Sequence, residues 1–275
     1  MSENTDRWIS ESRKHPFYGE DIGKERYLNV WEKAADRYED AGVGSLKERI
    51  IEHLIKDKIV TKKSDILDVG CGPGTYGLRF AEFCKHVSCL DSSQRMLQHV
   101  RDKDVCNVDC ILADWDSFHT EHKYDVVFSS LCPSLNYPDS LIKMESFSKG
   151  YCAYISSMND DHGSIRRKIW KALGKDYTMN GYNTTFPYNF LIEKGRKAEL
   201  QIFESIEPYD EDVETTIGKE TDYFSFYFGN SDVVCSTIRE IVEGHSTNGR
   251  IHCDGIKRLG LLTWKVPQDQ DLRPI

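Results

Sequence analysis

The sequence predicts an α/β fold built on a doubly wound, parallel sheet. From residue 65 onward short apolar runs alternate with helical segments. The first run, Ile66-Leu67-Asp68-Val69, passes directly into the glycine-rich turn Gly70-Cys71-Gly72-Pro73-Gly74. Acidic residues then recur near the ends of the first three runs: Asp68, Asp91 and Asp114. The alternation stops after residue 157, and the longer spacings beyond it predict a cap built into the C-terminal half.

Residues 1–20 and the tail from Pro267 read as loosely structured. Residues 24–41 read as a helix, with Tyr27, Trp31, Ala34, Ala35 and Tyr38 at helical spacing. Gly42 and Gly44 break it. Ser45 then caps a second helix, and Glu48 completes a capping box. In that helix Leu46, Ile50 and Leu54 form an apolar face, joined less regularly by Ile51, Ile55 and Ile59. Strands are expected over residues 65–69, 86–90, 109–112, 124–128 and 151–156, and helices over 75–83, 94–101 and 141–147. A helix over 164–173 with a basic outer face, a Tyr- and Asn-rich stretch over 177–190, a strand over 200–206, a helix over 231–243 and a strand over 259–266 complete the chain.

Composition narrows the partners. The net charge of −9 argues against nucleic acid, because neutralising phosphates needs a basic footprint, although Arg166-Arg167-Lys168 forms a local patch. The nine cysteines are scattered, several inside apolar strands, as expected of reduced, buried thiols. No apolar run approaches the roughly 20 residues of a membrane span. The polar first residues lack a secretory h-region, so a cytoplasmic protein without a membrane partner is expected.

The turn itself limits the ligand. A dinucleotide fingerprint needs a third glycine or alanine where this chain has Thr75, and Pro73 removes an amide donor. A P-loop pattern is absent. Asp91 lies about 20 residues beyond the turn, where a carboxylate can accept from both hydroxyls of a ribose. Asp114 can accept from an exocyclic amine of a purine while Trp115 covers a ring face, with Met96 available for the other face.

Four segments in order, ILDVGCGPGTYGLRFAE, VSCLDSSQRML, ILADWDSF and YDVVFSSL, resemble the class I methyltransferases that use S-adenosylmethionine. The similarity covers residues 65–135. It implies a Rossmann-like, mostly parallel seven-stranded sheet, with an N-terminal helical lid (1–63), a cofactor-binding core (64–157) and a C-terminal part (158–275) that completes the sheet and carries cap insertions. It also implies roles. Gly70, Cys71 (through its backbone) and Gly72 would line the methionine part, and Asp68 would orient the turn and the amino group. Asp91, with Ser92 beside it, would hold the ribose; Asp114 and Trp115 would hold the adenine. Ser129, Ser130 and Leu131 would face the sulfonium, and Tyr38 would reach the carboxylate from the lid. Ala34 stands where many relatives carry Arg, which puts a charged clamp from that helix in doubt.

The implied reaction is in-line displacement of a methyl group, for which positioning supplies much of the rate and no general base is assigned. Its acceptor is expected to be a small molecule. A protein or RNA methyltransferase and a non-catalytic cofactor-binding subunit are the alternatives. Substrate-side candidates are Tyr27, Trp31, Cys132, His162 and Tyr182. Cys132 is a candidate nucleophile or a packing residue, and His162 an acid or base or a solvated loop residue. The aromatic runs 177–183 and 223–228 form either a substrate box or cap core. Cys106-x3-Cys110 with His119-x2-His122 superficially resembles a zinc set, but its members fall on a buried strand and a distant polar turn, so no metal is expected. A thiophilic substrate such as arsenite would need three cysteines, and only Cys71 and Cys132 stand near the turn.

Overall fold

The computed structural model describes residues 2–14, 24–35, 44–158, 164–178 and 180–267. Among these, a seven-stranded sheet runs in the order β3-β2-β1-β4-β5-β9-β6. Its strands are β1 (Asp65–Val69), β2 (His86–Asp91), β3 (Val108–Leu112), β4 (Tyr124–Ser130), β5 (Ser148–Ser157), β6 (Glu199–Ile206) and β9 (Ile256–Lys265). The first five are parallel, and β9 lies antiparallel between β5 and β6. Strands β7 (Tyr209–Asp212) and β8 (Arg250–Cys253) pair as a separate two-stranded sheet.

Near-continuous apolar runs make the central strands, because both faces of the sheet are covered. Ile66 faces one layer and Leu67 and Val69 the other, the period of two that a strand imposes. The first layer holds α3 (Gly44–Lys56), α4 (Gly77–Phe80) and α5 (Gln94–Arg101), which contribute Leu46, Ile50, Leu54, Phe80 and Leu97. The second holds α1 (Glu3–Arg13), α6 (Pro138–Phe147) and α8 (Thr185–Glu193), contributing Trp8, Leu141, Phe147 and Phe190. A third core belongs to the C-terminal helices. There Trp170 of α7 (Ile165–Ala172) packs with Phe224 of α9 (Val213–Phe228) and Ile238 and Val242 of α10 (Asp232–Glu243). Helix α2 (Lys24–Ala34) meets α5, where the Arg95 backbone N–H donates to Glu32 at 3.5 Å. No described helix is long and apolar enough to cross a membrane.

The helix expected over 94–101 is α5, held by Ser93, whose Oγ accepts the Met96 N–H at 3.1 Å. Elsewhere the structure corrects the sequence reading. Residues 3–13 form α1 rather than a loose arm, with Trp8 fully buried and its indole N–H donating to Gly181 O at 3.2 Å. Ser45 is not a cap: α3 already begins at Gly44, and the Ser45 hydroxyl donates to Glu207 at 3.1 Å. Glu48 accepts from Arg79 of α4 at 3.0 Å instead of closing a box. The helix expected over 75–83 shrinks to the four residues of α4. Helix α9 and the β7–β8 pair were not read from the sequence. The end of the expected 24–41 helix and the tail from residue 268 lie outside the described residues.

Trp8 ties α1 to the sheet layer through both burial and a hydrogen bond. Trp8→Ala is expected to lower unfolding stability by about 3–5 kcal/mol, read from urea titration. A loss below about 1 kcal/mol would contradict α1 as part of the core.

Candidate functional site

A cleft of about 630 Å3 opens at the carboxyl ends of the parallel strands, where the strand order reverses around β1. Gly70 and Gly72 enter it from the turn after β1, and Asp91, Ser92 and Met96 from the region after β2. Asp114 and Trp115 enter after β3, and Ser130 through Ser134 after β4; Trp31 of α2 completes the described wall.

The turn adopts left-handed backbone at Gly70 (φ +66°) and Gly72 (φ +55°). A Cβ on Gly70 would stand 2.3 Å from Cys132 Sγ, so glycine is needed there twice over. The amides of the turn are already engaged. Gly70 and Cys71 donate to Leu90 O at 2.8 and 3.1 Å. Gly72 donates to Asp91 Oδ2 at 2.9 Å, and Gly74 donates to Cys71 O at 3.1 Å. Pro73 has no N–H. A pyrophosphate therefore finds no unengaged amide in the turn, and the following helix of four residues offers no dipole of consequence.

Asp91 is held at the turn from both oxygens, its Oδ1 accepting the Ser93 N–H at 2.8 Å. Burial raises its pKa, while the backbone N–H groups of Ser93, Gly72 and Ser92 oppose that rise. The two carboxylate oxygens, with about four lone-pair sites between them, keep capacity for a ligand hydroxyl. Asp114 is exposed, and its Oδ1 accepts the Asp116 N–H at 2.8 Å. Trp115 beside it is buried, and its indole N–H has no hydrogen-bond partner among the described residues. The cofactor implied by the sequence fits this donor set: a carboxylate at the turn, a second carboxylate beside a buried indole with an unused donor, and no cradle for phosphate.

Several residues expected at the ligand lie behind the wall. Asp68 is buried on the α4 side of β1, where it accepts the Gly77 backbone N–H. Burial raises its carboxyl to about 7, and the nearby Asp91 charge adds to the rise. Ser129 does not face the cleft; its hydroxyl donates to Val69 O at 2.9 Å and ties β4 to β1. The Cys71 side chain is buried in the first core layer, its thiol raised by burial and by the neighbouring Cys89. Tyr182 sits in a short 3-10 turn against α1, away from the described cleft wall. Cys132 lines the cleft and stands against Gly70, and burial pushes its thiol up to about 12, which disfavours the thiolate form. Leu131 lines the cleft with φ +51°, a left-handed conformation that side chains rarely adopt. Tyr38 and His162 lie outside the described residues, as does the side chain of Tyr27.

The 223–228 run forms the last part of α9, with Phe224 in the third core, its ring 4.7 Å from that of Trp170. Tyr177 likewise stacks edge-on to Trp170 at 4.9 Å. His122 bonds Asp65 at 2.7 Å, and His119 is exposed beside Glu121. Among the described residues no three His, Cys, Asp or Glu side chains are grouped to hold a metal. Reasoning from sequence missed Val69, Leu90 and Ala113 in the wall, since none carries a chemical signature.

Two substitutions test this geometry. Gly70→Ala is expected to cost about 1–2 kcal/mol for the left-handed backbone, plus the collision with Cys132. In Gly70→Ala/Cys132→Gly, the collision cost disappears while the backbone cost remains; equal stability of the single and double variants in urea would contradict the contact. Because the folded Asp68 carboxyl titrates above its unfolded value of about 3.9, stability is fully present below pH 4 and is lost as pH rises to about 7. The loss amounts to at most about 4 kcal/mol, and Asp68→Asn, which keeps an acceptor for Gly77, is expected to flatten that part of the stability–pH curve. An unchanged curve would contradict the burial of this carboxyl.

Comparison with known proteins adds a domain match. A family model described as a methyltransferase domain matches residues 66–144. The ribosomal RNA small subunit methyltransferase G of Pasteurella multocida (strain Pm70) is 30% identical over 117 residues, 39% of this chain and 54% of that protein. The malonyl-[acyl-carrier protein] O-methyltransferase of Salmonella typhimurium (strain LT2) is 29% identical over 111 residues, 40% of this chain and 43% of that protein. The chain thus spans about half the length of these curated relatives. The magnesium protoporphyrin IX methyltransferase of Synechocystis PCC 6803 superposes with a TM-score of 0.52 at 12% identity, covering 95% of this chain and 100% of that one, which speaks for the fold alone. Residues 66–144, set in this sheet, thus match a methyltransferase domain, and the fold is that of the Synechocystis enzyme.

Proposed function

We propose that the protein transfers the methyl group of S-adenosylmethionine to a small-molecule acceptor. The observation that carries this reading is the fully engaged turn beside Asp91: it suits a nucleoside edge and offers phosphates nothing. When bound, the cofactor supplies a methyl group already activated by its sulfonium. The protein's work is then to bind and align. Asp91 holds the ribose hydroxyls against Gly72, Asp114 and Trp115 hold the base, and Gly70 lets the ligand approach bare backbone. Alignment of this kind supplies on the order of 7–11 kcal/mol in well-oriented reactions. Burial disfavours the Cys132 thiolate, so no nucleophilic role is assigned to it.

A small acceptor is favoured over RNA by charge. Three of the four basic residues of α7 are engaged by the protein itself: Arg166 pairs with Glu220 through two bonds of 2.9 and 2.8 Å, Arg167 with Asp176 at 2.7 Å, and Lys168 with His245. With a net charge of −9, that leaves little to neutralise a phosphate backbone. The similarity to the ribosomal RNA methyltransferase covers 39% of this chain. The nine cysteines are free thiols, consistent with a reducing, cytoplasmic location as part of this reading.

Asp91→Ala is expected to raise the dissociation constant for S-adenosylhomocysteine by about 10- to 100-fold, as for loss of hydrogen bonds to a charged group. Calorimetry checks this, and unchanged affinity would remove Asp91 from the site. Incubation with methyl-labelled cofactor and a cell extract split into small-molecule, protein and RNA fractions is expected to label the small-molecule fraction. Label confined to RNA or protein would overturn the acceptor class.

A further inference from the structure

The turn that follows β3 is gripped from behind by a lysine on α6. Lys143 Nζ donates to the carbonyl oxygen of Trp115 and, at 3.0 Å, to that of Asp116. The same ammonium lies 4.9 Å from the centroid of the Trp115 ring and 5.9 Å from that of Phe147. Phe147 itself meets the Trp115 indole edge-on at 5.6 Å. The Trp115 carbonyl and the Asp116 N–H belong to one peptide group. Its oxygen accepts from Lys143, and its N–H donates to Asp114 Oδ1 at 2.8 Å. Ammonium and carboxylate therefore pull on opposite ends of a single peptide dipole, an arrangement that strengthens both bonds. The cost is partial desolvation of the ammonium, which lowers the Lys143 pKa. The surface offers α6 many ways to use a lysine in water; here it is turned inward onto a turn.

We propose that Lys143 is a positioning residue for nucleobase recognition: through the peptide between Trp115 and Asp116 it fixes the Asp114 carboxylate, and through the ring contact it fixes the Trp115 indole at the base end of the cleft. This rests on the reading of the cleft as a nucleoside site. Lys143 touches no ligand in this scheme; its effect reaches the base through the turn. The selectivity it supports is for a 6-amino purine over a 6-oxo purine, because the exocyclic amine donates to Asp114 and a 6-oxo group cannot.

The test compares wild type, Lys143→Met and Lys143→Arg in calorimetry with S-adenosylhomocysteine and with its inosine counterpart. Wild type is expected to prefer the adenosine form. Lys143→Met is expected to bind that form on the order of tenfold more weakly while its affinity for the inosine form changes little, so that the preference narrows. Lys143→Arg, which keeps the charge and the donors, is expected to recover part of the preference. In the ligand-free protein, hydrogen exchange at the Asp116 amide is expected to quicken by about tenfold in Lys143→Met, since the bond it makes to Asp114 loses its support. Equal loss of affinity for both ligands, or wild-type behaviour of Lys143→Met in calorimetry and exchange, would overturn the proposal. A wild-type protein that binds neither ligand would overturn the reading of the cleft, and this inference with it.

Discussion

Two residues at the end of β2 hold the turn that follows β1. Leu90 O accepts the N–H groups of Gly70 and Cys71, and Asp91 Oδ2 accepts that of Gly72. The parallel register of the two strands, Val69 opposite Leu90, brings these atoms together. This linkage fixes the shape of the cleft floor, holds Asp91 in place despite the burial that opposes its charge, and consumes the donors that a phosphate would need. Such a turn and acid also occur in dinucleotide sites; here the engaged amides and the four-residue helix make the difference.

The rest of the site builds outward from that floor. Cys132 packs on Gly70 and brings the segment after β4 against the turn. Ser129 ties β4 to the end of β1, and Asp68 anchors the start of α4 from inside the sheet. These residues shape the cleft, and Asp68 and Ser129 do so without lining it. The base end depends on a different support, the turn from Asp114 to Phe118, where Phe118 N–H donates to Asp114 O at 2.9 Å and α6 closes from behind. The C-terminal helices have their own core around Trp170, so their aromatic residues largely serve packing there.

What was legible in the sequence followed physical pattern. The central strands were readable because burial on both faces leaves an apolar run, and α5 because Ser93 marks its start. Helix α1 was hidden because its buried positions are Thr5, Trp8 and Ser12, which form no apolar stripe. Helix α9 was hidden similarly, with Thr216 buried beside Ile217 and Phe224. Within the site, chain order identified the residues of the turn and the acids after each strand, but not which way they point. Asp68 and Ser129 adjoin the turn in register, yet strand alternation and sheet hydrogen bonding direct their side chains inward. The contribution of Lys143 had no sequence signal, since a lysine on an amphipathic helix ordinarily faces water.

Under the proposed function this turn serves a nucleoside and excludes phosphates. Calorimetry of the purified protein with S-adenosylhomocysteine and NAD+ under the same conditions tests it most directly. Saturable binding of S-adenosylhomocysteine and no measurable heat with NAD+ are expected. Binding of NAD+ with comparable affinity, or no binding of S-adenosylhomocysteine, would contradict it.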